Sequence, residues 1–183
     1  MPRAKKSVRK NPIQRDSGES KEKIRGKYFW AGLRISIGFI FIWPFFDKLF
    51  GLGFSTAKSQ AWINGGSPVA GFLLHSTYGP LASVYQSIAG SSLVSWLFML
   101  GLLFVGLTMI LGIGMKLSSI VGTAMMFLMW SSMLPPTTTP FMDYHWMYAA
   151  ALIASVLANA GNYFGLGKWW SGLRFVRKCP ILK

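Results

Sequence analysis

The feature that most constrains this chain is a central stretch, residues 28–167, with only six charged side chains: Arg34, Lys48, Lys58, Lys116, Asp47 and Asp143. Inside it lie four apolar runs, at residues 28–50, 93–115, 117–134 and 141–164. An α-helix rises ~1.5 Å per residue, so ~20 apolar residues cross the ~30 Å of bilayer hydrocarbon. All four runs reach that length, the third narrowly. Lipid offers a backbone no hydrogen-bond partner, so such spans are helical. Hydrophobic residues make up 52% of the chain and charged residues 13%, where a soluble domain carries about 25% charged. These values exclude an ordinary soluble enzyme, a disordered chain and a disulfide scaffold. The single cysteine, Cys179, can form neither an internal disulfide nor a paired-thiol redox centre. The expected fold is all-α, an integral membrane four-helix bundle.

Charge placement sets the expected orientation. Ten of the 19 basic residues fall within residues 1–27 and five within residues 168–183. Basic segments stay on the cytoplasmic side. With the N-terminus in the cytoplasm, four spans return the C-terminus there. Lys116 then lies inside and only Lys48 and Lys58 outside. The domain reading is a disordered basic tail at 1–27, a membrane domain at 28–167 and a basic amphipathic cytoplasmic tail at 168–183. The N-terminal tail has two readings, a nucleic-acid-binding arm and a topology determinant that touches anionic lipid. The second is favoured, and no nucleic-acid partner is expected. Between the first two spans, residues 51–92 are too long and too apolar for a simple loop. Short helices are expected near 57–63, 69–74 and 81–88, forming an outer re-entrant or interfacial segment.

Ionisable groups inside a membrane are expensive and mark sites that call for explanation. Arg34 sits six residues into the first span, where snorkelling and an anion or quinone-carbonyl contact are both open readings. Pro44 leaves the carbonyl of Ile40 without its helical donor. Trp43 and Asp47 share one helix face. Arg34, Gly38, Phe41, Phe45 and Lys48 share another, with Gly38 allowing close backbone approach. That second stripe suits a pocket for a planar ring, and it also suits plain packing. The two histidines, His75 and His145, and the acids Asp47 and Asp143 all fall near the outer face with Lys48. Paired carboxylate and imidazole there can move protons between a quinone and outside water, and an interfacial polar belt is the alternative. The expected catalytic set is Asp47, Lys48, His75, Asp143 and His145. The expected quinone contacts are Arg34, Phe41, Trp43 and Phe45. No metal-ligand spacing stands out, so no metal site is expected. Ala150, Ala154, Ala158, Gly161 and Gly165 form a small-residue stripe on the fourth span that invites helix contact within the bundle or in a homo-oligomer.

The sequence resembles the DoxX/DoxD family of small membrane proteins. The resemblance rests on Arg34-x3-Gly38, on Trp43-Pro44-x2-Asp47-Lys48-Leu49, and on Ala61-Trp-Ile-Asn-Gly-Gly-Ser-Pro-Val-Ala-Gly-Phe-Leu73, with Asn64 and Gly66 among the matched positions. It covers roughly residues 29–165. What it implies is a multi-pass plasma-membrane subunit of a thiosulfate:quinone oxidoreductase or a relative, with quinone as acceptor substrate and a second protein subunit as partner. The chain carries no haem motif, no dinucleotide fingerprint and no outward cysteine, so no intrinsic cofactor is evident and any sulfur chemistry needs that second subunit. A non-catalytic anchor or assembly subunit for a redox or stress-response complex is the alternative, and a small-solute transporter ranks behind both.

Overall fold

A computed structural model describes residues 12–137 and 139–182, with side chains from residue 24 onward. The described residues are helical and include no strand. One bridge pairs Tyr78 with Met133. The helices are α1 (Pro12–Phe50), α2 (Pro68–His75), α3 (Ala82–Ser87), α4 (Ser92–Leu111), α5 (Met115–Ser131), α6 (Tyr144–Leu157), α7 (Gly167–Gly172) and α8 (Arg174–Lys178). Four of them close a ring, with α1 packed on α4, α4 on α5, α5 on α6 and α6 back on α1.

Two helices are long and apolar enough to cross a membrane: Ile24–Phe50 within α1, 27 residues, and α4, 20 residues. The other two apolar runs give shorter helices. α5 has 17 residues and α6 has 14. Asp143 caps the start of α6, and Asn159, in the left-handed region at φ 50°, ends it ahead of a buried 3-10 turn at Ala160–Asn162. The last run is thus helical over only part of its apolar length. At the other extreme, α1 begins at Pro12, so residues 12–27, expected without regular structure, are helical. Proline suits a first helical position, and Gln14, Arg15, Glu19, Lys21, Glu22 and Lys23 are good helix formers. Residues 1–11 of the expected tail lie outside the described residues.

The helices turn apolar side chains outward and keep many polar ones inside. Phe39 and Ile35 on α1, Trp96, Leu97 and Leu100 on α4, Ile120, Phe127 and Leu128 on α5, and Met147 and Leu157 on α6 are all exposed. Arg34, Asp47, Thr108, Ser118, Ser132, His145 and Ser155 are buried. Close contact between α1 and α4 depends on two glycines. A Cβ on Gly38 would sit 2.9 Å from the backbone nitrogen of Ile110, and one on Gly106 would sit 2.8 Å from that of Ile42. At the same end as Phe50, residues 51–91 form a cap. It consists of 3-10 turns at Lys58–Gln60 and Trp62–Asn64, then α2 and α3. Trp62 packs edge-on against Trp96 at 4.6 Å, the Tyr78 amide donates to Ser132 O at 3.1 Å, and the Tyr85 hydroxyl meets Ser131 Oγ at 2.6 Å. These contacts pin the cap to α4 and α5.

Candidate functional site

The site lies under that cap, where the end of α1 meets the start of α6. Asp47, in the last turn of α1, is 1% exposed. Its carboxylate accepts from the amides of Phe54 (3.1 Å) and Ser55 (2.9 Å) and from Ser55 Oγ (2.7 Å). Lys48 Nζ donates to the same Ser55 Oγ at 3.2 Å. Three donors, one on Oδ1 and two on Oδ2, hold the carboxylate and fold residues 51–56 back over α1. Asp47 thus anchors the loop and, through Ser55, positions Lys48.

Asp143 is the N-cap of α6. One carboxylate oxygen accepts from the His145 amide at 3.0 Å, satisfying a donor that a helix start leaves free. The other lies 2.7 Å from His145 Nδ1. An ionised carboxylate can only accept, so Nδ1 carries the proton and the imidazole is fixed in orientation. His145 is 1% exposed, and its other ring nitrogen, Nε2, is buried without a hydrogen-bond partner. Buried polar atoms of this kind are uncommon and call for a reason.

His145 borders a cavity of about 240 Å³. The cavity's polar lining is Lys48, Ser55, Tyr144, His145 and Tyr148, and its apolar lining includes Phe41, Pro44, Phe72, Phe98, Leu102, Met126 and Met129. A histidine, a lysine and two tyrosines thus border one chamber whose other walls are aromatic, aliphatic and thioether. His145 also borders a second space of about 50 Å³ beside Thr123 and Trp146. Thr123 Oγ1 and Trp146 Nε1 are likewise buried without partners. A crevice of about 480 Å³ at the opposite end is lined partly by Lys116 and Arg177, both exposed to solvent.

The structure brings some expected residues together and leaves others apart. Phe41, Lys48 and His145 line the 240 Å³ cavity, and Asp143 is bonded to His145. His75, at the end of α2, is exposed and lines none of these cavities. Phe45 is buried in the core, and Trp43 stacks on Phe39 at 5.7 Å and meets Phe54 edge-on at 5.1 Å. Neither lines the cavity.

Arg34 differs most from both of its expected readings. It is fully buried at the far end of the ring and lines none of the four cavities described. One terminal nitrogen donates to Met109 O and to Ile110 O (2.8 Å), and the other to Tyr163 O (3.4 Å) and Phe164 O (3.0 Å). It therefore caps the negative end of α4 and ties it to the segment after α6. Gly112, in the left-handed region at φ 73°, ends α4 there, and a Cβ on it would sit 2.9 Å from the guanidinium. Asn64 and Gly66, matched by motif, also serve the cap. The Asn64 amide donates to Lys58 O at 2.8 Å, and Gly66 presses on the Gln60 backbone with no room for a side chain.

Sequence reasoning did not find Tyr144, Tyr148 or Ser55. Tyr144 and Tyr148 are spaced i, i+4 beside His145, a signal available in the sequence. Ser55 gave none, because a loop hydroxyl is informative only once the loop's path is known. Among the described residues, no three of His, Cys, Asp and Glu come close enough to hold a metal ion. No family model, curated protein or solved structure matches the chain.

Proposed function

We propose that this chain is a quinone-binding membrane subunit of an oxidoreductase, with the quinone ring held in the cavity between Lys48 and His145. Four spans cross the plasma membrane, with both termini in the cytoplasm and the cap at residues 51–91 outside. The exposed apolar faces of α1, α4, α5 and α6 support the membrane reading. α6 alone reaches only about 21 Å at ~1.5 Å per residue. Its run is extended by the turn at Ala160–Asn162, whose Ala160 and Gly161 are buried in protein, as irregular backbone at membrane depth must be.

The observation that carries the functional reading is His145, oriented by Asp143 at Nδ1, without a partner at its buried Nε2, and part of the lining of an aromatic-walled chamber. A quinone becomes a quinol by taking up two electrons and two protons. In this reading the Lys48 ammonium stabilises negative charge as it develops on a ring oxygen. His145, protonated at Nε2 from outside water, is held as an imidazolium by Asp143, gives that proton to the oxygen and returns to the neutral ring; a second such cycle supplies the second proton. Tyr144 and Tyr148 supply hydroxyls to the same chamber. The electrons come from outside this chain. Cys179 is exposed in the C-terminal segment, which the proposed topology puts on the opposite side, so a second subunit brings the donor. By the DoxX/DoxD resemblance that donor is thiosulfate, two of which give tetrathionate and two electrons.

The test is thiosulfate-dependent quinone reduction in native membranes from a deletion strain, complemented with the intact chain or with His145→Ala. The intact chain restores the rate, and the variant is expected to leave it about 10²–10⁴-fold lower. Equal rates would overturn the assignment of His145. No restoration by the intact chain, while quinone still binds the purified protein, would remove thiosulfate and keep the quinone site.

A further inference from the structure

The chamber that receives the ring has a neighbour that fits the rest of such a molecule. A second cavity, of about 320 Å³ and almost wholly apolar in its lining, lies where α2 and α3 fold over α4 and α5. Leu73, Val94, Leu97 and Leu128 are among its walls. The two cavities share three side chains, Phe72, Phe98 and Met129. These three are only half-buried, whereas Phe41, Leu102 and Met126, deeper in the ring chamber, are buried in the core. The shared wall is thus the softer side of the chamber, and a methionine in it has rotamers to spare. On its far side the apolar cavity reaches Leu97 and Leu128, which are 63% and 54% exposed on the outer faces of α4 and α5. The two cavities are thus separated by one layer of half-buried side chains, and the apolar one reaches the outer surface of α4 and α5.

Resting on the ring site proposed above, we infer that the apolar cavity holds the isoprenoid tail of a long-chain quinone, which enters and leaves between α4 and α5 beneath the cap. The tail gains little by transfer, because bilayer and cavity are equally apolar. Its role is to fix the ring's approach, so selectivity is read best by blocking the path.

The test uses the full chain in lipid nanodiscs and a tail-less azidoquinone that photolabels the ring chamber. Competitors are duroquinone, which has no tail, and decylubiquinone, which has one. Leu97→Trp fills the mouth from an exposed position that folding tolerates, and Val94→Trp fills the cavity farther in. Both variants are expected to raise the decylubiquinone concentration for half-protection about tenfold and to move that of duroquinone less than about twofold. Unchanged protection by both competitors would overturn the tail assignment and send the tail out past Ile40 and Pro44 instead. Equal losses for both would overturn it as well, by making the cavity part of the ring site. Failure of either quinone to protect the wild-type chain would remove the ring site itself, a result distinct from the other two.

Discussion

The two ends of the helix ring each bury ionisable side chains, and they treat them differently. At one end Arg34 is enclosed: its terminal nitrogens are bonded to four carbonyls, its charge is set against the end of α4, only its Nε lacks a partner, and it lines none of the cavities described. At the other, Asp47 is spent on a loop in the same way, but His145 is held by Asp143 at Nδ1, has no partner at Nε2, and borders two cavities. Burial alone therefore does not mark chemistry. A buried charge whose partners close around it is a fastener. A buried base that is oriented by one partner and faces a cavity is poised to act on something that enters.

This contrast orders the expected effects of mutation, and the largest belongs to Arg34. Arg34→Met removes the donor to the carbonyls at 109, 110, 163 and 164, the first bond buried and the other three partly buried. Each buried orphan costs about 1–3 kcal/mol, less what relaxation recovers, so the loss of stability is expected at about 3–5 kcal/mol. Thermal unfolding in mild detergent would show it. Arg34→Lys should recover only a minor part, because one ammonium cannot reach both pairs of carbonyls with a guanidinium's planar fork. A stable Arg34→Met protein would break the comparison at its fastened end.

At the open end the signs reverse. His145→Gln removes the base and keeps an amide of similar reach. Nε2 makes no bond to lose, so the stability cost is confined to the Nδ1–Asp143 bond, about 1–3 kcal/mol where the new amide does not replace it. Quinone reduction is expected to fall about 10²–10⁴-fold. Asp47→Asn should behave as an intermediate case. It weakens the bonds to residues 54 and 55, costs about 1–3 kcal/mol, and loosens the Lys48–Ser55 contact. Faster amide exchange across residues 51–56 would register that loosening. Quinone loss without any change in exchange would instead make Asp47 a direct participant.

How much of this was legible beforehand follows from sequence distance. The apolar runs marked where helices form, and Gly38 marked a close backbone approach, because both are local patterns. Asp143 and His145 are two residues apart, so their meeting across a helix start could be read directly. Arg34 could not be placed, because its partners lie 75 to 130 residues away along the chain and backbone carbonyls leave no trace in side-chain identity. His75 groups with His145 in the sequence only by membrane face, but a face is broad and His75 is exposed at the end of α2. The shortness of α6 was hidden for a similar reason: the apolar run continues past Asn159, while the backbone turns there.

A smaller effect separates two roles of one residue. Asn and Asp are nearly equal as N-caps, so Asp143→Asn keeps the start of α6 and removes the anion beside Nδ1. Stability is expected to stay within about 0.5 kcal/mol, while quinone reduction falls about 10–100-fold, the usual cost of losing a group that orients an imidazole. Asp143→Ala adds loss of the cap, about 1 kcal/mol. Equal activity in the wild type and Asp143→Asn would leave Asp143 as a cap alone.

The smallest effect tests whether the open end is a site or only a polar belt at the membrane surface. His75 belongs to the same face as His145 but is exposed and borders no cavity described above. If ionisable residues there serve only to match the headgroup region, His75→Gln and His145→Gln should be alike, each with a slight effect on insertion and none on turnover. If the chamber is the site, His75→Gln leaves quinone reduction within about twofold of wild type and stability within about 0.5 kcal/mol, while His145→Gln does not. Membrane abundance and quinone reduction measured side by side for the two variants decide between these outcomes. A matched loss of activity in both would return the whole cluster, His145 included, to the role of an interfacial belt.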